Sequence, residues 1–378
     1  MQLSETVKLY LTGEQKILVI SAMNEYIRTV NSLVSDAANG ISISRYTTAD
    51  VAAELPSAIT NQCIRDAKSI IGKYNKACRK AVRKVASSAS TGEASVMNAP
   101  RLPVLKRPCC YVNNQNFRVK DNSIEFPVLV NGKSKRISVR VKMTERQRSL
   151  LSGVKLGTMR IVTKGRTVAA QLVYDIAEPE FCTDGRYMGV DLGIKCPAVS
   201  YVSDGSVRFY GNGRKNKYMR RHYAYLRRKL QKGKHMDVVK RINDKEQRIM
   251  KDTDHKISHD IIATAVAHDV NVIKLERLAN IRSTTRTSRK NDHSLHTWSF
   301  YRLAKFIEYK ANLAGIKVEY VNPAYTSQTC PVCGHVHHAS DRIYTCECGF
   351  RIHRDLLGAM NICNSTEYVG DSYIRHTA

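Results

Sequence analysis

The sequence predicts a multidomain α+β protein. An N-terminal helical segment and a small β-barrel come first, and an α/β domain interrupted by a metal-binding insertion follows. Three observations carry this. Apolar residues recur at helical spacing before residue 100 and switch to a period of two after it. Short apolar strands alternate with helical stretches from Tyr187 onward. Four cysteines stand in two close pairs, Cys330/Cys333 and Cys346/Cys348, only seven residues before Asp355.

Taken in order, "ETVKLYL" (5–11) reads as a strand, and Thr12 with Gln15 forms a capping box that starts a helix. Ile20, Met23, Ile27, Val30 and Val34 repeat three and four apart and define its buried face. A second helix begins near Pro56, carries Ile59, Cys63, Ala67, Ile70 and Tyr74, and turns basic toward Lys80 and Arg83. The small, polar stretch "ASSASTGEAS" reads as a linker. Ile137, Val139, Val141 and Met143 then alternate with Arg136, Ser138, Arg140 and Lys142, as on a half-buried strand. Asn131-Gly132 and Lys164-Gly165 mark tight turns. Residues 187–202 read as one strand-like run, with the Asp204-Gly205 turn and "SVRFYG" after it. Residues 214–251 are helical and carry 15 Lys/Arg against 3 acids, a net +12. "VNVIKLE", a helix around Trp298–Ala314 and "IKVEYV" complete the α/β pattern, and 282–294 read as a mobile loop. Trp298 is expected in the core, and His255 in helix packing or capping.

With 61 Lys+Arg against 33 Asp+Glu the net charge is +28, an electrostatic footprint that favours a polyanionic partner. No signal-peptide layout opens the chain and no apolar run approaches the ~18 residues of a membrane span. A cytoplasmic, nucleoid-associated protein is therefore expected. The 11 cysteines make no disulfide framework. Arg220, Arg221, Arg227, Arg228 and Lys229, with Lys80 and Arg83, are the expected nucleic-acid contacts. They would track phosphates with little sequence choice.

Cys330-x-x-Cys333, twelve residues, then Cys346-x-Cys348 suit one tetrahedral, structural Zn2+. Gly334 and Gly349 stand where the two knuckles must turn. His335, His337, His338 and His353 could each replace a cysteine; the four-cysteine set is favoured. With that zinc saturated, the chemistry must lie elsewhere.

Asp191 sits in an apolar strand between Gly189 and Gly193, read as room for a ligand's close approach. Glu276 ends another strand, where open α/β sheets place their sites, and Asp355 opens a helix. Singly, each has a structural reading as a salt-bridged or helix-opening acid. Together, three such acids can hold two Mg2+ for phosphodiester hydrolysis. Inserted just before the last helix, the zinc segment would fix where Asp355 points.

Six stretches, "GVDLGI" (189–194), "DHKISHDII" (254–262), "VIKLERL" (272–278), "WSFYRLAKFIEYKANLAGIKV" (298–318), "NPAYTSQTCPVCG" (322–334) and "CECGFRIHRDLLGAMNI" (346–362), together resemble the TnpB family of transposon-encoded nucleases and the related miniature type V CRISPR effectors. The resemblance implies an RNA-guided DNA endonuclease with Asp191, Glu276 and Asp355 as catalytic acids, a guide RNA and a target DNA as partners, and recognition of a target-adjacent motif. It also implies a layout: a wedge strand (1–11), a helical recognition segment (12–100), a wedge β-barrel (101–183), and a RuvC-like nuclease of RNase H fold (184–327 and 352–378) with a zinc-ribbon insertion (328–351). One departure stands out, Leu357 where the family has Asn two residues after its last acid. A compact CRISPR effector, a nuclease-inactive guided DNA binder, and a zinc-ribbon DNA-binding protein without a guide stay open as alternatives. The second would be expected to lack an acid, and the third leaves the acids unexplained. Monomer or homodimer is undecided.

Overall fold

The computed structural model describes residues 1–89, 99–165, 167–177, 179–242, 244–278, 298–338 and 341–370. The expected loop at 282–294 and most of the expected linker lie outside them. The chain divides into two compact units, 1–177 and 178–378.

In the first unit, β1 (Gln2–Tyr10) leads into α1 (Gly13–Ala38), and α2 (Ser57–Ala89) follows. The capping box at α1 forms as the sequence requires: Gln15 N donates to Thr12 Oγ1 at 3.3 Å, and Thr12 N donates to Gln15 Oε1 at 3.2 Å. α2 runs on through Ala86–Ala89, into the stretch expected as linker; nothing in that small-residue run breaks helical geometry. Then come β2 (Cys109–Val112), β3 (Arg118–Lys120), β4 (Ser123–Val130), β5 (Lys133–Val141), α3 (Glu145–Ser152), β6 (Lys155–Lys164) and β7 (Thr167–Asp175).

The strands form one antiparallel sheet in the order β2-β6-β7-β1-β5-β4-β3. Asn131 and Gly132, both at positive φ, make the tight β4–β5 turn, pairing Val130 with Lys133. Alternation on β5 resolves as expected, with Val139 and Val141 buried and Arg136 and Arg140 exposed. The expectation of a barrel is not met. The ladder runs instead from β2 to β3 with no pairing between those ends among the described residues. The two end strands are only 4 and 3 residues long, so each offers few backbone groups for a closing ladder. α1 and α2 cover the sheet, and Met23, Tyr26, Val30, Ile59 and Cys63 share one core with Ile124, Phe126, Met159 and Leu172. Each such buried side chain contributes roughly 1.5–3 kcal/mol.

The second unit begins with β8 (Arg186–Asp191), β9 (Ala198–Val202) and β10 (Val207–Tyr210), an antiparallel meander. The run 187–202 is thus two strands, broken after Asp191 where Gly193 and Pro197 interrupt the extended chain. The basic region folds as α4 (Gly213–Lys232), α5 (Met236–Ile242) and the start of α6 (Lys245–Ala267). β11 (Val270–Glu276), α7 (Phe300–Leu313) and β12 (Lys317–Val321) follow. The small hairpin β13 (Ile343–Thr345) and β14 (Arg351–His353) precedes α8 (Arg354–Asn364) and β15 (Tyr368–Gly370).

The main sheet has the order β10-β9-β8-β11-β12-β15, with β8, β11 and β12 parallel. β15 pairs antiparallel with β12, so a strand follows α8, which the sequence pattern makes the last element. α6 and α7 meet across a buried polar network. Asp254, 3% exposed, accepts from Arg302 at 2.7 Å and Ser299 at 3.3 Å. His255 stacks on Phe306 at 3.9 Å, the packing role expected of it. Trp298 lies just before α7 rather than in it and packs half-buried against Phe300.

Candidate active site and metal centre

β8 and β11 are parallel neighbours in register, Val190 beside Leu275, and each ends in an acid. Asp191 and Glu276 therefore leave the same edge of the sheet. The third acid arrives on α8, and glycine sets how closely. A Cβ on Gly189 of β8 would lie 2.1 Å from the Ala359 carbonyl oxygen, so the helix backbone rests directly on the strand. The close approach expected at Gly189 is made by this helix, not by a ligand, and at Gly193 it is made by the Cys196 carbonyl oxygen. Gly358 faces Asp191: a Cβ there would stand 3.3 Å from Asp191 Oδ2. Asp355 occupies the first turn of the same helix.

Burial pushes the Asp191 carboxyl well above the usual carboxylate range, and the charges of Glu276 and Asp355 push it further; Arg354 and Arg342 oppose. Glu276 is pushed up to about 7 by burial, against a hydrogen bond from Thr326 Oγ1. Neither Asp191 nor Glu276 makes an ion pair among the described residues. Two of the three acids thus have no cationic partner of their own, and three carboxylate donors at strand and helix ends suit hard divalent cations such as Mg2+.

Asp355 differs. Arg342 Nη1 donates to its two oxygens at 2.8 and 3.1 Å, and Arg354 N donates to the Arg342 carbonyl at 2.8 Å. His353 caps α8, its Nδ1 accepting from Asp355 N at 3.2 Å. The segment between the cysteine pairs is thus stapled to the turn that carries the acid.

The four thiols of Cys330, Cys333, Cys346 and Cys348 lie within 4.8 Å of one another, the only such cluster among the described residues. Sγ–Sγ separations are 3.7 Å (Cys330–Cys348) and 3.4 Å (Cys333–Cys346), close to the ~3.8 Å edge of a tetrahedron with 2.3 Å Zn–S bonds. Gly334 (φ 73°) and Gly349 (φ 89°) make the knuckle turns, donating to the Cys330 and Cys346 carbonyls at 3.0 Å each. The donor set fits Zn2+ without a histidine. Leu357, where the related family has Asn, is fully buried against Cys330, Tyr344 and Cys346. It joins helix to ribbon as packing. One turn later on α8, Asn361 Nδ2 donates to the Thr326 and Thr329 carbonyls at 2.7 and 2.8 Å, holding the segment whose Thr326 reaches Glu276.

Sequence reasoning missed Arg342, Thr326, Asn361 and Gly358. Only Asn361 carried a usable signal, an amide four residues after Leu357 on the same helix face. The basic residues divide. Arg221, Arg228 and Lys229 on α4, and Lys80 and Arg83 on α2, are exposed. Arg227 is paired with Glu246 at 2.7 Å, and Arg220 is half-buried near Glu246 and Asp254. Tyr218 (65% exposed) and Tyr225 (63%) face solvent, while Tyr223 is buried.

Two strand-end acids, a helix-borne third, and a four-thiolate ribbon stapled to that helix define an α/β domain built around an acid cluster. Residues 300–362 match the family described as Cas12f1-like, TNB domain. A TnpB-like protein of Methanocaldococcus jannaschii is 33% identical over 165 residues, 41% of this chain and 59% of the relative. The CRISPR-associated endodeoxyribonuclease Cas12f1 of Sulfoacidibacillus thermotolerans is 28% identical over 195 residues, 47% of this chain and 45% of the relative. These matches thus span about half of each curated relative. A Cas12f1 chain solved with sgRNA and target DNA shares the fold, with a TM-score of 0.64 at 16% identity over 93% of this chain and 84% of that one. Over these stretches the chain is similar to TnpB and miniature type V proteins. No helix among the described residues is long and apolar enough to cross a membrane.

Proposed function

We propose that the protein is an RNA-guided, metal-dependent DNA endonuclease of the transposon-associated TnpB kind, with Asp191, Glu276 and Asp355 as its catalytic acids. The observation that carries this is the cluster itself: Asp191 and Glu276 leave one end of the sheet without a cationic partner, their carboxyls raised by burial, and Asp355 on α8 lies near enough to Asp191 to raise it further. The strand order, a three-stranded meander followed by parallel strands, supports an RNase H-like (RuvC) reading of the second unit. Relatives named as endodeoxyribonucleases, and a fold neighbour solved with guide and target, support the guided activity.

Two bound Mg2+ would activate the attacking water and stabilise the leaving oxygen. The chain's own contribution is to position the acids. β8 and β11 fix Asp191 and Glu276 a strand apart, Thr326 orients Glu276, and Arg342 with His353 orients Asp355. Exposed cations on α2 and α4 would hold guide RNA and target DNA by their phosphates. The layout read from the sequence, with recognition and wedge segments in 1–183 and nuclease with ribbon in 184–378, belongs to the same proposal, as does a site of action at the nucleoid.

The test is cleavage of a matched target by protein co-purified with its RNA. Asp191→Ala, Glu276→Ala and Asp355→Ala should each abolish cleavage with Mg2+ present and leave target binding nearly intact. Substantial cleavage by any two of them would sink the assignment.

A further inference from the structure

Beside Asp355 a cavity of about 480 Å³ opens between the loop after β8, strand β10, the first turn of α4 and His353. Its size lies in the range of small-ligand sites. Asp355 with its Arg342 partner, and Cys196, stand at its wall, and two further kinds of chemistry line it. Lys195, Arg214 and Lys217 are exposed cations from two elements, and none has an ion-pair partner among the described residues. Phe209 is 48% exposed, a large apolar ring left in solvent on an edge strand. It is held edge-to-face against His353, with centroids 5.3 Å apart and planes at 86°, and His353 in turn caps the helix bearing Asp355. One ring contact cannot cover both faces of Phe209, so ring surface stays open to the cavity.

Unpaired cations around an open aromatic face match one ligand: a nucleotide, with its phosphate among the cations and its base on the ring. A base still in a duplex has both faces covered by its neighbours, so the nucleotide must be unpaired. We propose that this cavity is a subsite for one unpaired nucleotide of the strand lying next to the acid cluster. The base stacks on Phe209, and Lys195, Arg214 and Lys217 hold the flanking phosphates. Phe209 is then a residue that positions the strand, and its exposure on β10 has a reason. This rests on reading the acids as a nuclease site and adds to it the residues that seat the strand.

The experiment uses the full chain in magnesium-free buffer, so that cleavage enters no readout. Binding of a labelled single-stranded oligothymidylate is compared with an abasic strand of the same length and with free thymidine monophosphate. The protein should prefer the thymidylate strand to the abasic one, and Phe209→Ala should remove roughly tenfold of that preference. Phe209→Leu, which keeps apolar bulk against His353, should lose it as well, whereas Phe209→Tyr should restore it. A role in merely bracing His353 would be met by leucine. A strand carrying 5-iododeoxyuridine should crosslink on irradiation to Phe209 or His353. Lys195→Gln with Lys217→Gln should weaken the abasic and thymidylate strands equally. An unchanged preference in Phe209→Ala, full preference in Phe209→Leu, or crosslinks confined to other residues would overturn the subsite. Tight binding of the free monophosphate, equal to that of the strand, would also overturn it by pointing to a nucleotide metabolite. Failure here with the acid variants still inactive in cleavage would reject the subsite alone.

Discussion

Glu276 ties the chemistry of the site to the stability of the fold, and the link can be measured without cleaving anything. Burial lifts its carboxyl from 4.5 to about 7, so the fold favours the protonated form. Stability from that preference is fully present below about pH 4.5 and is lost as pH rises toward 7, where the acid must ionise in place. A move of this size corresponds to on the order of 3 kcal/mol. For a unit of some 200 residues that is roughly 6–12 °C in Tm. On the proposed reading, Mg2+ would offset the loss by binding the ionised cluster. The Tm gained on adding millimolar Mg2+ should therefore be small near pH 4.5 and grow as pH rises toward and through about 7. Glu276→Gln keeps an acceptor for Thr326 and removes the charge. In magnesium-free buffer above pH 7 it should melt higher than the natural protein, and Mg2+ should raise it less. Thermal scans of both proteins across this window decide the matter. A magnesium effect independent of pH, or a Glu276→Gln variant that melts no higher, would refute the account of Glu276 as a buried acid without a cationic partner.

Elemental analysis should find one zinc per chain, and Cys330→Ser or Cys346→Ser should lose it together with thermal stability, since removing a ligand opens the closed site. Gly358→Ala should cut cleavage tenfold or more with zinc content unchanged, because its Cβ would meet Asp191 at 3.3 Å; wild-type rates would show that Asp191 has room to move. Arg302→Ala leaves the Asp254 carboxylate, 4% exposed, without its guanidinium and should cost about 3 kcal/mol in denaturant unfolding. Replacing Arg221, Arg228 and Lys229 together by Gln should weaken binding of all target sequences alike. The slope of log affinity against log salt should then become shallower by roughly one for each phosphate no longer neutralised. Adding Arg227 to that set should change the slope little, since Glu246 already neutralises it.

What could be read from the sequence was whatever repeats at short range. The Thr12 capping box, the Asn131-Gly132 turn, the alternation on β5 and the cysteine spacings are local patterns, and each formed as read. The acids were legible as strand-end and helix-start residues, but not how they are held. Arg342 reaches Asp355 from thirteen residues away across a hairpin, and Thr326 reaches Glu276 across fifty. No periodicity encodes such pairs. Leu357 looked like a missing amide because its partners, Cys330 and Tyr344, are neighbours only after folding. The glycines misled in the same way: Gly189 signals a close approach, but sequence cannot say by what.

The contact at Gly189 works as a mechanical stop. Main chain meets main chain there, Gly189 against Ala359 and Cys363, so the spacing between the strand bearing Asp191 and the helix bearing Asp355 is independent of any side-chain rotamer. Thermal motion of side chains blurs most active-site distances; here repulsion between peptide groups sets a lower limit that no rotamer change can alter. Asp191→Glu or Asp355→Glu therefore adds a methylene between backbones already in contact at Gly189, so the longer carboxylate must fold back or lift the helix off the strand. The site tolerates aspartate at these two places because of its length as much as its charge.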